Sequence, residues 1–172
     1  DRMAKLFFSF FWGRTDVYAK RNVNKNGEAA YYPQCDNFWS DNCHRKLNTH
    51  IDCKDCKYCS YTRLDLPTIL MHLRGNSYAA KDVIGVYPLF SDGTCRFLVF
   101  DFDNHEKNAE KKDFANTDDT WIEEVEAMRD ICSLNGIEPL LERSRSGKGA
   151  HIWIFFDKPI SAAVVRKFGF AL

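Results

Sequence analysis

Apolar positions recur at Met3, Leu6, Phe7, Phe10 and Phe11, the spacing of one helical face. The chain is therefore expected to open with a helix that Asp1 caps and Gly13 closes. Val17 to Asn22 and Glu28 to Pro33 flank Asn24-Lys25-Asn26-Gly27, which predicts a β-hairpin with Asn-Gly at its tip. Periodicity fades from Cys35 to Cys59. It returns in a short helix, Thr68 to Leu73, bracketed by Asp65, Pro67 and Gly75. Ile84 to Phe90 reads as a strand, Ser91-Asp92-Gly93 as a turn, and Thr94 to Phe102 as the returning strand, a hairpin expected to set the register of its acidic end. The polar run Asn104 to Asp118 reads as a loop. Asp118 or Asp119 then caps a helix with Trp121, Ile122, Val125, Met128, Ile131, Cys132 and Leu134 on its apolar side, ended by Gly136. Glu138 to Arg143 and Ala150 to Phe156 are predicted strands joined by a Ser144 to Gly149 loop, and Ser161 opens a last helix. The order strand, strand, helix, strand, strand, helix implies an α+β domain with a mainly antiparallel sheet.

Composition narrows this picture only in part. With 172 residues, 45% hydrophobic and 15% aromatic, the chain can bury a core and is not of disordered type. Lys+Arg and Asp+Glu number 24 each, so any nucleic-acid-binding surface has to come from local clustering of charge. No apolar run approaches a membrane span, and the Met3 to Trp12 stretch lacks a small-residue cleavage site after it. The expected location is the cytoplasm. The chain starts at Asp1 and stops at Leu172 within a helix-like pattern, and it is read as a fragment of something longer.

Two stretches carry candidate chemistry. In Cys95 to Asp103 a run of β-formers ends in two carboxylates one residue apart. Strand alternation puts Asp101 and Asp103 on one face, about 7 Å apart at their backbones, within reach of one hard cation. Burying two like charges together is costly unless a metal or strong donors compensate. The second stretch is Glu142-Arg143-Ser144-Arg145-Ser146-Gly147-Lys148-Gly149-Ala150-His151. Its glycines permit close backbone approach, Arg143, Arg145 and Lys148 supply positive charge, and the hydroxyls add donors, which suits a phosphate. It is not a Walker loop, because Gly149 follows Lys148 where Ser or Thr is required. A plain hairpin tip with a surface histidine is the bland alternative, and the paired acids weigh against it.

Five of the seven cysteines fall between positions 35 and 59, where the polar sequence cannot close a core without a staple. Cys53-Lys54-Asp55-Cys56 has the spacing of a zinc knuckle, and Cys35 with Cys43 can complete a structural tetrahedral site, with Cys59 as the spare thiol and His44 and His50 as further candidates. Free or redox-active thiols are the competing reading. Residues 35–60 are thus expected to form a zinc-binding subregion within one domain spanning 1–172.

Phe100-Asp101-Phe102-Asp103 and Ser144-Arg145-Ser146-Gly147-Lys148-Gly149-Ala150-His151, leading into Ile152-Trp153-Ile154-Phe155-Phe156, resemble the first two motifs of archaeo-eukaryotic primases. The likeness is strongest to the primase-polymerase domain of TOTE conflict systems, which the cysteine segment, His72-Leu73-Arg74-Gly75 and Gly85-Val86-Tyr87-Pro88-Leu89 also resemble. The resemblance implies an RRM-like catalytic core with an N-terminal helix and hairpin and a cysteine-rich insertion. It implies a template-dependent nucleotidyltransferase, a DNA primase or polymerase, using two Mg2+ or Mn2+ ions. Asp101 and Asp103 would be metal ligands, and Ser146, Lys148 and His151 would bind the incoming triphosphate. The implied partners are a nucleic-acid template, nucleoside triphosphates, and helicase and nuclease modules. The family's third motif adds a carboxylate from a later strand, expected beyond residue 172.

Two rival classes remain from sequence. A phosphatase of haloacid-dehalogenase type also places Asp-x-Asp after an apolar strand, but needs successive parallel βα units. A catalytically inactive, zinc-bearing nucleic-acid-binding module accounts for two acids without a third.

Overall fold

The computed structural model describes residues 2–47, 49, 51–103, 120–145 and 147–172. They fall into two compact units, Asp1–Asp92 and Gly93–Leu172. The expected cap at Asp1, the loop from Asn104 to Asp118 and the cap at Asp118 or Asp119 lie outside the described residues.

The first unit opens with α1 (Arg2–Phe10). Its packing face is turned from the predicted one. Ala4 is fully buried with Phe7 and Phe8 beside the core of Tyr18, Leu64 and Ile69, whereas Met3, Leu6 and Phe10 are exposed. The small Ala4 side chain lets the helix sit close, which a pattern of large apolar residues does not reveal. Gly13 does not close the helix by a left-handed turn. A Cβ there would stand 2.4 Å from the Tyr87 carbonyl oxygen, so glycine is needed where two chain segments cross.

β1 (Tyr18–Val23) and β2 (Ala29–Pro33) form the predicted hairpin, with Gly27 at φ 84°. Asn24 Oδ1 accepts the backbone N–H groups of Asn26 and Glu28 and fixes the turn. α2 (Leu66–Arg74) is capped as expected. Asp65 accepts the Thr68 N–H at 2.9 Å, Pro67 stands in the first turn and Gly75 takes the left-handed conformation at the end.

The predicted strand Ile84 to Phe90 is a three-residue strand, β3 (Ile84–Val86), and it pairs antiparallel with β1, not with the acid-bearing strand. The first sheet is thus ordered β2-β1-β3. The hairpin expected to set the register of Asp101 and Asp103 does not form. Pro88 has no N–H to continue the ladder, and β1 offers Ile84 to Val86 a free edge.

The second unit holds β4 (Thr94–Asp103), α3 (Thr120–Leu134), β5 (Leu140–Arg143), β6 (Gly149–Ser161) and α4 (Ala162–Ala171). Its sheet is ordered β4-β6-β5 and both pairings are antiparallel. β6 runs five residues past its predicted end at Phe156. The extension is reached through an irregularity between Cys95 and Phe97, where Arg96 Nη2 donates to the Asp157 carbonyl at 2.7 Å, and Pro159 occupies a stretch that needs no ladder donor.

One face of this sheet is covered. Phe100, Phe102, Ala150 and Ile152 meet Val125, Trp121 and Met128 of α3, and Gly169 of α4 comes against Leu98 and Phe100. Cys132 is also fully buried, but Ile122 and Leu134 are exposed, so the apolar side of α3 is narrower than predicted. Gly136, at φ 67°, ends the helix while the Ile137 N–H bonds back to the Cys132 carbonyl. The mixed α+β class and the antiparallel pairing are as expected. No described helix is long and apolar enough to cross a membrane.

Candidate active site

Strand alternation gives the second unit's sheet its chemical face. Since Leu98, Phe100 and Phe102 point to the helices, Val99, Asp101 and Asp103 point to the other side. The register places Asp101 opposite His151 and Asp103 opposite Gly149, and on the other flank of β6 it places Glu142 opposite His151 and Leu140 opposite Trp153. A single face therefore carries Asp101, Asp103, His151, Glu142 and Trp153. The apolar part of this face is an aromatic row, in which Trp153 and Phe155 lie parallel within 5° with centroids 6.2 Å apart and Phe97 meets Trp153 edge-on at 5.7 Å.

The two acids are solvent-exposed, and Asp101 Oδ1 lies 3.3 Å from His151 Nε2. His151 Nδ1 is 3.2 Å from Glu142 Oε2, and the Trp153 indole N–H donates to that same oxygen at 2.8 Å. Gly149 is required by the fit at the strand mouth. A Cβ there would come within 2.3 Å of the Phe102 carbonyl oxygen and 2.6 Å of Asp103 Oδ1.

The loop between β5 and β6 closes through Ser144 N–H to the Gly149 carbonyl and Gly147 N–H to the Ser144 carbonyl, both 2.9 Å. Gly147 has φ 74°, a conformation that favours glycine. Arg143 leaves β5 on the face of Ala150 and folds back so that Nη2 and Nε donate to the Gly147 carbonyl at 3.0 and 3.3 Å. It braces the loop tip. Arg145 and Lys148 are exposed on the loop, and Ser146 lies outside the described residues. Of the site residues expected from sequence, Asp101, Asp103, Gly149 and His151 are brought together directly, with Gly147 and Lys148 on the adjoining loop.

A family model for the archaeo-eukaryotic primase domain of TOTE conflict systems matches residues 2–172. The chain belongs to this family. A search of curated proteins finds no match.

Membership in this primase family and the antiparallel pairings of the β4-β6-β5 sheet leave the phosphatase alternative without its parallel βα units among the described residues. Sequence reading missed Glu142 as part of the site. It was legible only as an acid before the loop, and its meeting with His151 depends on a cross-strand register that no local pattern encodes.

In the first unit Cys35, Cys43, Cys53, Cys56 and Cys59, with His44, line a common cavity of about 20 Å³, room for one atom of water size. His50 lies outside the described residues. Soft donors around a cavity of that size suit one zinc ion. Among the described residues, however, no three His, Cys, Asp or Glu side chains already converge as a metal-holding group. The thiols differ. Burial opposes the Cys43 thiolate, but the backbone N–H groups of Lys46, Trp39 and Arg45 outweigh it and lower its pKa. At Cys59 burial, then the neighbouring Cys35, pushes the thiol up to about 11. Tyr61 beside it is pushed up to about 12, first by burial and then by Cys59. Cys35 Sγ accepts the Ser60 N–H at 3.3 Å.

Proposed function

We propose that this primase-family chain is a template-dependent nucleotidyltransferase that adds nucleotides to a nucleic-acid strand. What carries the reading is the register of β4 on β6, which sets two exposed acids at a strand end against His151 and Gly149 at the foot of a cationic, glycine-bearing loop. In this reading Asp101 and Asp103 hold two divalent ions, Mg2+ or Mn2+. Such ions would neutralise charge developing on the attacking and leaving oxygens. Hard carboxylate oxygens on one exposed face suit them.

The chain's own residues have separate tasks. Arg145, Lys148 and the hydroxyls of Ser144 and Ser146 hold the triphosphate, while His151 approaches it from the strand. The backbone around Gly147 and Gly149 permits close approach, and Arg143 keeps the loop in its turn. The strand, helix, strand, strand, helix order of residues 94–171, with both helices on one face of a β4-β6-β5 sheet, supports an RRM-like core. Among the described residues no third acid joins Asp101 and Asp103 in an ion-holding group, so the proposal takes a third carboxylate from outside them. We assign a structural zinc ion to Cys35, Cys43, Cys53 and Cys56. The partners are a template strand, nucleoside triphosphates, and helicase and nuclease modules.

The test is extension of a primed template by the purified protein with Mg2+ or Mn2+, using ribo- and deoxyribonucleotides in separate arms. Asp101→Asn and Asp103→Asn should each lower incorporation by at least about a hundredfold. Melting temperature and zinc content should stay unchanged, because both side chains are exposed. Full incorporation by the double variant would remove these acids from the site. Nucleic-acid binding by the wild type without any incorporation would instead favour the inactive binding module, which the pair of acids without a third also fits.

A further inference from the structure

β6 is the central strand of its sheet, so His151 has an acid on each side. Asp101 Oδ1 stands 3.3 Å from Nε2, and Glu142 Oε2 stands 3.2 Å from Nδ1. Glu142 Oε2 also accepts the Trp153 indole N–H at 2.8 Å. An indole N–H can only donate and an ionised carboxylate can only accept. Oε2 is therefore an acceptor, and so is Asp101 Oδ1, but only the Nδ1 contact with Glu142 has hydrogen-bond geometry while the Nε2 contact with Asp101 is an ion-pair distance, so a neutral ring places its hydrogen on Nδ1.

Glu142 is poorly placed to be a third metal ligand. It is two strands from Asp101, about 10 Å at the backbone, and the His151 ring lies between the two carboxylates. It also contributes little packing, with its side chain 51% exposed. Its contacts have one common effect, which is to fix the ring of His151.

We propose that Glu142 is a positioning residue that holds the His151 imidazole with Nδ1 protonated and Nε2 presented beside Asp101. Trp153 in turn fixes the acceptor that does so. The kinetic consequence rests on the nucleotidyltransferase reading, in which His151 serves the triphosphate. The orientation of the ring does not rest on it.

Two measurements separate these levels. Nitrogen NMR of imidazoles labelled with 15N, at a pH where histidines are neutral and with the His151 signal assigned from a His151→Ala variant, should show Nδ1–H in the wild type and in Glu142→Gln, whose amide oxygen still accepts. Glu142→Ala should shift His151 toward Nε2–H. An unchanged tautomer in Glu142→Ala overturns the proposal, whatever the protein catalyses. In nucleotide incorporation, Glu142→Ala should raise KM for the nucleotide about tenfold with a smaller change in kcat, Glu142→Gln should recover most of the loss, and melting should not move. In a His151→Ala background Glu142→Ala should add nothing. An undiminished further loss in that background overturns the positioning role. Absence of incorporation by the wild type counts against the nucleotidyltransferase reading, and the NMR result then decides the positioning role alone.

Discussion

Asp103 and Gly149 stand directly opposite each other where β4 and β6 open into the candidate site, and the space between them has no room for a side chain. The added Cβ would meet both the Phe102 carbonyl oxygen, at 2.3 Å, and Asp103 Oδ1, at 2.6 Å. Backbone cannot yield to such a contact without moving the strand end that carries the acids. Gly149→Ala should therefore lower the melting temperature and abolish nucleotide incorporation together. Gly147→Ala is the control. Its φ of 74° makes alanine costly, but the nearest atoms to its Cβ belong to the flexible Arg143 side chain at 3.7 Å or more. That variant should lose about 1 kcal/mol of stability and keep part of its activity. Equal behaviour of the two variants in thermal melts and incorporation assays would show that close approach at Gly149 is not limiting.

His72 gives the first unit a pH dependence. Burial lowers its pKa below the ordinary histidine value, and the nearby Asp82 carboxylate only partly opposes this. The Nδ1 of His72 and Oδ1 of Asp82 are both buried without a hydrogen-bond partner among the described residues. Between the lowered value in the folded state and the ordinary value of about 6.5, the unfolded chain binds a proton that the folded chain does not. Stability should consequently fall as pH drops through that window, by at most about 1.4 kcal/mol per pH unit for one proton. Denaturant melts from neutral to mildly acidic pH check this. His72→Gln should flatten the slope in that window, and parallel slopes for wild type and variant would rule out His72 as its source.

Arg96 supports the irregular part of the β4 and β6 pairing. Its guanidinium donates to the Asp157 carbonyl at 2.7 Å and reaches the Phe156 carbonyl at 3.4 Å, where the ladder skips residues. Arg96→Ala should cost about 1–3 kcal/mol by taking a charged donor from strand carbonyls that have lost their ladder partners. Arg96→Lys should recover less than half, since one ammonium lacks the spread of donors of a guanidinium. Denaturant melts of both variants provide the measurement. A loss below about 0.5 kcal/mol in Arg96→Ala would mean that the irregularity supports itself.

Local signals made much of this protein legible. The Asn-Gly turn, the Asp65, Pro67 and Gly75 frame of α2, and the acid-ended strand act over a few residues, and the structure contains each. Pairing partners were less legible, because β propensity says that Ile84 to Val86 is extended but not which edge it joins. The same limit hid Glu142. Its role depends on Glu142 and Asp101 arriving at opposite sides of His151 from strands about forty residues apart in sequence. The packing face of α1 was misread for another reason, since Ala4 carries the closest contact and weighs little in a hydrophobic pattern.

The cysteine cavity makes a prediction that separates its five thiols. Zinc binds thiolate, and Cys43 already has the backbone donors of Lys46, Trp39 and Arg45 that favour this form. Cys59 has the opposite shift, up to about 11, from burial and from Cys35 beside it. Neighbouring sulfur raises any thiol of the cluster, so Cys59 is left out by the choice of Cys35, Cys43, Cys53 and Cys56 as ligands and not by its titration. Metal analysis of the purified protein should then find about one zinc per chain in the wild type. Cys43→Ser, Cys53→Ser and Cys56→Ser should lose it, while Cys59→Ser should retain it. A strong chelator should lower the melting temperature of the wild type and of Cys59→Ser alike, since a structural ion contributes directly to folding. Zinc lost from Cys59→Ser and kept in Cys43→Ser would exchange the two roles. Zinc content unchanged by Cys53→Ser and Cys56→Ser would sink the knuckle altogether and leave the cavity to free thiols.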